Sequence, residues 1–259
     1  MKILITGYKG FIGQNMVNAL LGHELTLHEW GDNFPEVKGH DWVIHLGAIS
    51  STTETDVEKV MTQNYDFSKK IIYDCLAHRV NLQYSSSASV YGLNRDFRED
   101  APLNPMSPYA WSKYLFDRFV QNHDWTGIRV QGFRYFNVYG PHEDHKGNQA
   151  SPYYKFEKQA KETGVIKLFE DSDNYLRDFV PVETVVDTHK QFFNVAETGV
   201  WNIGTGQATS FKSVARAIAV KYDAKLEYIP MPQEVKNQYQ KYTCADITKL
   251  KKSLNENRS

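Results

Sequence analysis

The chain has 259 residues, 41% of them hydrophobic and 24% charged, with a formal net charge of −1. That balance suits a soluble globular protein with a sizeable core, and the lack of a long basic run argues against nucleic acid as a partner. Two cysteines, Cys75 and Cys244, give no disulfide framework; with no signal-peptide pattern at the N-terminus, a reducing cytoplasm is expected. No apolar stretch reaches the ~20 residues of a membrane span, so no membrane association is expected.

Strands and helices alternate through the first half. "KILIT" at 2–6 reads as a β-strand, followed by a helical pattern through Phe11, Val17, Leu20 and Leu21. Further strands are predicted at 25–29, 41–48, 81–87 and 128–136, with helices at 56–78 and 109–122. This alternation implies a parallel sheet covered on both faces, a doubly wound α/β fold. Only 11 residues separate Glu29 from Asp41, which is near the minimum for a crossover with a helix, so a bare loop is expected there.

After Gly140 the predicted elements are shorter: helices at about 151–163, 182–196 and 210–221, and strands in "IKLFE", "RDFVPV", "GVWNIG" and "LEYIP". They read as a smaller mixed lobe. The expected division is 1–140 for a dinucleotide-binding part and 141–259 for a substrate lobe, interleaved as one compact unit. Ligands of open α/β sheets bind outside the carboxyl ends of the strands, so the cleft between the lobes is the expected site.

Gly7, Gly10 and Gly13 form GxxGxxG between the first strand and the first helix. Such glycines permit a tight turn, a close backbone approach to a pyrophosphate and close helix packing, with the helix N-terminus favouring the negative charge. Glu29 ends the second strand, 16 residues after Gly13, where a carboxylate suits the adenosine ribose of NAD. Tyr109 and Lys113 in "YAWSK" lie four apart, on one helix face. A neighbouring ammonium and a positive nicotinamide ring are expected to lower the tyrosine pKa from its usual ~10 and make it a base. "SSS" at 85–87 ends the strand before it and supplies hydroxyls for a reacting oxygen. "GPHEDHKGNQAS" at 140–151 carries two histidines, three charged side chains and two glycines. Its adjacent His142, Glu143, Asp144 and His145 point in different directions on an extended loop, so no metal site is expected. His45 is read as packing.

With the glycine turn, the serine-ended strand and YxxxK in this order, the chain resembles the extended short-chain dehydrogenase/reductase family, the nucleotide-sugar epimerases and dehydratases. "HLGAISSTTETD", "SSSASVYG", "FRYFNVYGPHEDHKG" and "LFEDSDNYLRDFV" extend the likeness over most of the chain. The resemblance implies a Rossmann fold and a tightly bound NAD or NADP that is reduced and reoxidised within one turnover, Glu29 leaning to NAD and the resemblance to NADP. It also implies a nucleotide-sugar substrate, an ADP-sugar by preference, and a homo-oligomer. By motif, Ser87, Tyr109 and Lys113 match the catalytic triad, and Lys146 of "HKG" a second base across the sugar. Gly7, Gly10, Phe11, Ile12, Gly13, Glu29, Leu46, Gly47, Ala48 and Asn64 match cofactor-binding positions. Ser51, Thr52, Ser87, Asn137, Asn148, Lys155, Phe169, Arg177 and Tyr239 match substrate-binding positions. Lys155 stands where related epimerases carry a histidine, and the chain ends at "KKSLNENRS", before the family's usual last helix. Another epimerase, a reductase, a 4,6-dehydratase and a non-catalytic NAD(P)-binding protein are the alternatives; "SSSASVYG" lacks the Asp-Glu pair of a dehydratase.

Overall fold

A computed structural model describes residues 1–232 and 240–256. Its centre is a parallel six-stranded sheet in the order β2-β1-β3-β4-β5-β9. These strands are β1 (Lys2–Thr6), β2 (Glu24–His28), β3 (Trp42–His45), β4 (Asn81–Ser87), β5 (Val130–Tyr135) and β9 (Gly199–Ile203). β1, β3 and β5 are almost wholly buried; β1 and β3 accordingly read as short, mostly apolar runs rather than alternating ones, whereas β5 buries Gln131 and Arg134 among its apolar residues. Helices α3 (Phe67–His78) and α4 (Pro108–Gln121) cover one face, where Ile71, Ile72 and Phe116 pack on Leu4, Val43 and Leu82. Helices α1 (Phe11–Ala19) and α6 (Val182–Phe192) cover the other, where Met16 and Val186 pack on Ile3, Ile5 and Ile44. The result is the doubly wound α/β architecture expected from the alternation.

From β1 the chain passes to β2 on one side and to β3 on the other. This reversal opens a crevice at the carboxyl ends of β1 and β3. The crossover from β2 to β3 contains no helix, as its length required. The predicted helix at 56–78 is one rod with a π-helical segment, Met61–Asp66, between α2 (Val57–Val60) and α3.

The smaller part is built around β8 (Leu176–Pro181). It pairs with β6 (Asn137–Tyr139), β10 (Ala208–Ser210) and β12 (Tyr242–Thr243). β7 (Val165–Phe169) and β11 (Lys225–Ile229) form a separate parallel pair under α5 (Pro152–Thr163) and α7 (Phe211–Tyr222).

Two features differ from the sequence reading. "GVWNI" does not stay in the smaller lobe; as β9 it extends the large sheet beside β5. Its residues Val200–Ile203 are buried on both faces, an environment the helix-covered parallel sheet provides. A helix, α8 (Thr248–Glu256), closes the described chain; it buries Leu250, and its Ser253 accepts a hydrogen bond from Trp201 Nε1 at 3.1 Å. No helix among the described residues is long and apolar enough to cross a membrane.

Candidate active site

The glycine turn lies at the crevice. Gly7 has φ +71°, and a Cβ there would meet the Gly47 backbone at 2.5 Å. A Cβ on Gly13 would stand 2.2 Å from the Gly7 carbonyl oxygen. These two glycines are therefore demanded by close backbone approach, and they bring the start of α1 against the loop after β3. The turn opens on a cleft of about 430 Å³ lined by Gly7, Gly10, Phe11, Ile12, Gly13, Glu29, Leu46, Gly47, Ala48 and Ser51, with Tyr109, Lys113 and Lys146. A dinucleotide fits this cradle, because a backbone without side chains and a helix N-terminus face the space its phosphates need.

Glu29 sits at one end. Its carboxylate accepts the Lys9 N–H at 3.2 Å and the Trp30 N–H at 3.0 Å, which ties the end of β2 to the glycine turn. Beside it lies a smaller recess of about 90 Å³ walled by His28, Trp30, Gln63 and Phe67, with Trp30 edge-on to Phe67 at 5.4 Å. The sequence reading missed this recess. Phe67 lies within the helix expected at 56–78, and Trp30 in the short crossover.

Asn64 does not line the cleft. It is 2% exposed within the π-helical segment. Its oxygen accepts the Ile49 N–H at 2.8 Å, and its amide donates to Ile49 O at 3.0 Å and Ser112 Oγ at 3.0 Å. It holds the cleft-wall loop after β3 against α4. A π-segment re-aims a side chain within a helix, which suits this task.

The three serines ending β4 have three different partners. Lys113 Nζ donates to Ser85 O at 2.8 Å and approaches Ser85 Oγ at 3.2 Å. Ser86 donates to Asp117 Oδ2 at 3.0 Å. Ser87 hydrogen-bonds the Tyr109 phenol. Ser107 caps α4, accepting the Ala110 N–H at 3.2 Å with Pro108 in the first turn, and this start sets Tyr109 and Lys113 on the cleft-facing side. Burial brings the Lys113 ammonium down to about 8, opposed by the Asp117 carboxylate. Tyr109 departs from the sequence expectation. Burial raises its pKa above the ordinary phenol value, with Ser87 pulling the other way. Lys113 Nζ lies 6.0 Å from the Tyr109 ring centre, its proton donors directed at Ser85.

Residues 140–151 form the opposite wall. Glu143, 1% exposed, accepts the Gly140 N–H at 3.1 Å, the Ser151 N–H at 2.6 Å and the Ser151 hydroxyl at 2.7 Å. One buried carboxylate thus closes the loop and leaves Asp144–Gln149 to form a 3-10 turn. Asn15 of α1 donates to Pro141 O at 3.0 Å. Lys146 projects into the cleft over the Phe11 ring at 4.8 Å, with Glu143 Oε2 3.8 Å from its Nζ. Burial lowers its pKa, Glu143 raises it, and Lys155 lowers it further. His145 and Gln149 also line the cleft.

The remaining expected substrate positions lie outside this cleft wall. Thr52 is exposed beside Ser51. Asn137 begins β6, and its oxygen lies 3.4 Å from Thr243 Oγ1. Asn148 O accepts from Lys155 Nζ at 2.8 Å, so these two bond to each other. Phe169 ends β7. Arg177, 8% exposed on β8, stacks over Phe211 at 5.5 Å. Asp173 pairs with Lys212 at 3.2 Å, and Asp178 is buried with its carboxylate accepting from Thr205, Gly206 and Ala245. Tyr239 lies outside the described residues.

The model of the NAD dependent epimerase/dehydratase family matches residues 3–204. An ADP-L-glycero-D-manno-heptose-6-epimerase of Brachyspira hyodysenteriae is 38% identical over 287 residues, covering 96% of this chain and 90% of that protein. The crystal structure of the Helicobacter pylori ADP-L-glycero-D-manno-heptose-6-epimerase superposes with a TM-score of 0.87 at 27% identity, over 98% of this chain and 90% of that one. A UDP-N-acetylglucosamine 4-epimerase from Methanobrevibacter ruminantium shares the fold, with a TM-score of 0.88 at 23% identity over 97% and 91% of the two chains. By its glycine turn, its cleft and these likenesses, the chain belongs to the NAD dependent epimerase/dehydratase family.

Proposed function

We propose that the protein is an NAD(P)-dependent nucleotide-sugar epimerase whose substrate is an ADP-linked heptose. The observation that carries the reading is the convergence of Tyr109 and Lys113 from α4 and Lys146 from the 140–151 loop on one cleft. A plain reductase needs one proton-exchanging group. An epimerase that returns hydride to the other face of a keto-sugar benefits from a second.

When bound, the nicotinamide supplies the acceptance and return of hydride. The protein's residues handle the proton and the geometry. Tyr109 takes the sugar hydroxyl proton, and Ser87, bonded to it, holds the reacting oxygen. Burial keeps the phenol protonated, so Tyr109 becomes a base only with positive charge beside it, from Lys113 and from the oxidised cofactor ring. Lys146 serves as the acid and base on the far side. Its desolvation moves an ammonium towards the range where it can give up a proton. Arg177 offers a guanidinium fork to the pyrophosphate. Names of the heptose-epimerase relatives support the sugar class. A homo-oligomer is part of the same proposal, and light scattering on the purified protein reads it.

The direct test is a panel of ADP-, GDP- and UDP-sugars followed by NMR of the inverted proton in deuterated water. Inversion of an ADP-heptose without deuterium uptake is expected. Release of NAD(P) on denaturation with no turnover of any sugar would point instead to a binding protein. Lys146→Met should lower epimerisation at least ~100-fold with the cofactor retained, and near-normal turnover would remove Lys146 from the mechanism.

A further inference from the structure

Behind the cleft, on the α6 side of the sheet, runs a buried polar chain that the proposed reaction does not use. It joins Gln131 and Tyr135 of β5, Gln83 of β4 and His189 of α6; the first, third and fourth are fully buried. Tyr135 lines the cleft together with Tyr109 and Lys113.

The direction of every hydrogen bond in the chain is forced. Gln131 Nε2 faces three carbonyls, Phe192 O at 3.2 Å, Val195 O at 2.9 Å and Glu197 O at 3.4 Å. A flipped amide would set oxygen against all three, so nitrogen belongs there and Gln131 Oε1 is an acceptor. Gln83 Nε2 donates to that oxygen at 3.0 Å and to His189 O at 3.1 Å, which leaves Gln83 Oε1 to accept. It lies 2.8 Å from His189 Nδ1, so Nδ1 carries the proton. Burial holds the imidazole pKa at about 3, so the ring is neutral and Nε2 keeps its lone pair. Tyr135 Oη, 2.6 Å from Nε2, must therefore donate to it.

We propose that His189 is a positioning residue for this site: it accepts the hydrogen bond of the Tyr135 hydroxyl and so turns that O–H inward, fixes that ring as one wall of the cleft, and leaves Tyr109 as the phenol that exchanges a proton with the sugar. The proposal deepens the epimerase reading and rests on it. A phenol that lines an active site and is free to rotate would be a rival proton donor. Three backbone carbonyls at the end of α6 prevent this through two glutamines and one histidine. The wall stands beside Tyr109 and Lys113, so the part of a bound ligand it orients is the nicotinamide end.

Two readouts independent of turnover test the idea. In protein labelled with 15N-histidine, one imidazole should be neutral and Nδ1-protonated from pH 5 to 8, and its shifts should move in Tyr135→Phe. If the imidazole that responds is Nε2-protonated or charged, the proposal falls. Titration of Tyr135→Phe with NADH and with ADP-ribose, which lacks the nicotinamide ring, should show NADH weakened ~5-fold and ADP-ribose unchanged. Equal weakening of both, or of neither, would overturn the role, since a merely structural residue does not distinguish them. In the epimerase assay the same variant should lose ~5-fold in kcat with the sugar KM within about twofold, and a change in KM alone would contradict it. Absence of any sugar turnover in the unaltered protein would defeat the epimerase reading and leave the tautomer and the ligand comparison still measurable.

Discussion

Gly13 and Glu143 show what single positions decide. Gly13 lies inside α1, where another residue would be the better helix former, yet a Cβ would stand 2.2 Å from the Gly7 oxygen and 2.7 Å from Tyr8 Cα. Both are backbone atoms, so relief requires the turn to move. Gly13→Ala is expected to raise the dissociation constant for NAD(P)H at least ~10-fold while the far-UV circular dichroism stays near that of the parent. Unchanged cofactor affinity would show that the turn tolerates the shift. The spacing made this glycine legible, because the turn, strand and helix it joins are neighbours in sequence. Glu143 was not legible. In "HEDHKG" it looked like one more solvated acid, and only folding shows its carboxylate enclosed by Gly140 and Ser151.

At the scale of elements, α4 matters most. Tyr109, Lys113 and Asp117 follow one another at four-residue intervals along it. The first two were identified from the sequence and the third was not. Asp117 accepts hydrogen bonds from Tyr84 Oη at 3.1 Å, Ser86 Oγ at 3.0 Å and Arg134 Nε at 2.8 Å, with both ionic side chains fully buried. It anchors α4 to β4 and β5 directly beneath the site. Asp117→Asn leaves the Arg134 charge buried without its counter-ion, which should cost about 3–5 kcal/mol in urea unfolding. A loss under about 1 kcal/mol would show that Tyr91 and Glu99, which also accept from Arg134, satisfy it unaided. The bare crossover between β2 and β3 could be predicted because length alone limits it. The place of β9 could not, since its sheet partner β5 lies more than sixty residues earlier.

Over the whole molecule, the buried histidines couple stability to pH. Burial holds both His45 and His189 at about 3, helped for His45 by the charges of Lys113 and His28. In the unfolded chain each titrates near ~6.5. As pH falls below that value the unfolded state binds protons that the native state refuses, so stability is lost progressively between about 6.5 and 3. The pair should cost about 4 kcal/mol between pH 7 and pH 5 in urea unfolding, and a flat profile over that range would contradict it. Below pH 3 no further loss comes from these two groups. His45 accepts from Thr6 Oγ1 at 2.6 Å and lies 2.8 Å from Ser68 Oγ, so it joins β1, β3 and α3 under the glycine turn and serves as packing.

By itself the sequence determined the alternating strands and helices, the glycine turn, and the tyrosine and lysine spaced four apart on α4. These depend on spacing within one element or one turn, and local periodicity records them; the lysine of the 140–151 loop came instead from the resemblance of its motif. The tertiary structure decided which serine meets which partner, that Asn64 braces a loop instead of facing the cleft, and that burial raises the Tyr109 pKa. It also decided that Lys113 and Lys146, 33 residues apart, line one cleft. Desolvation and hydrogen-bond direction depend on atoms brought together from distant segments, and no pattern along the chain carries that information.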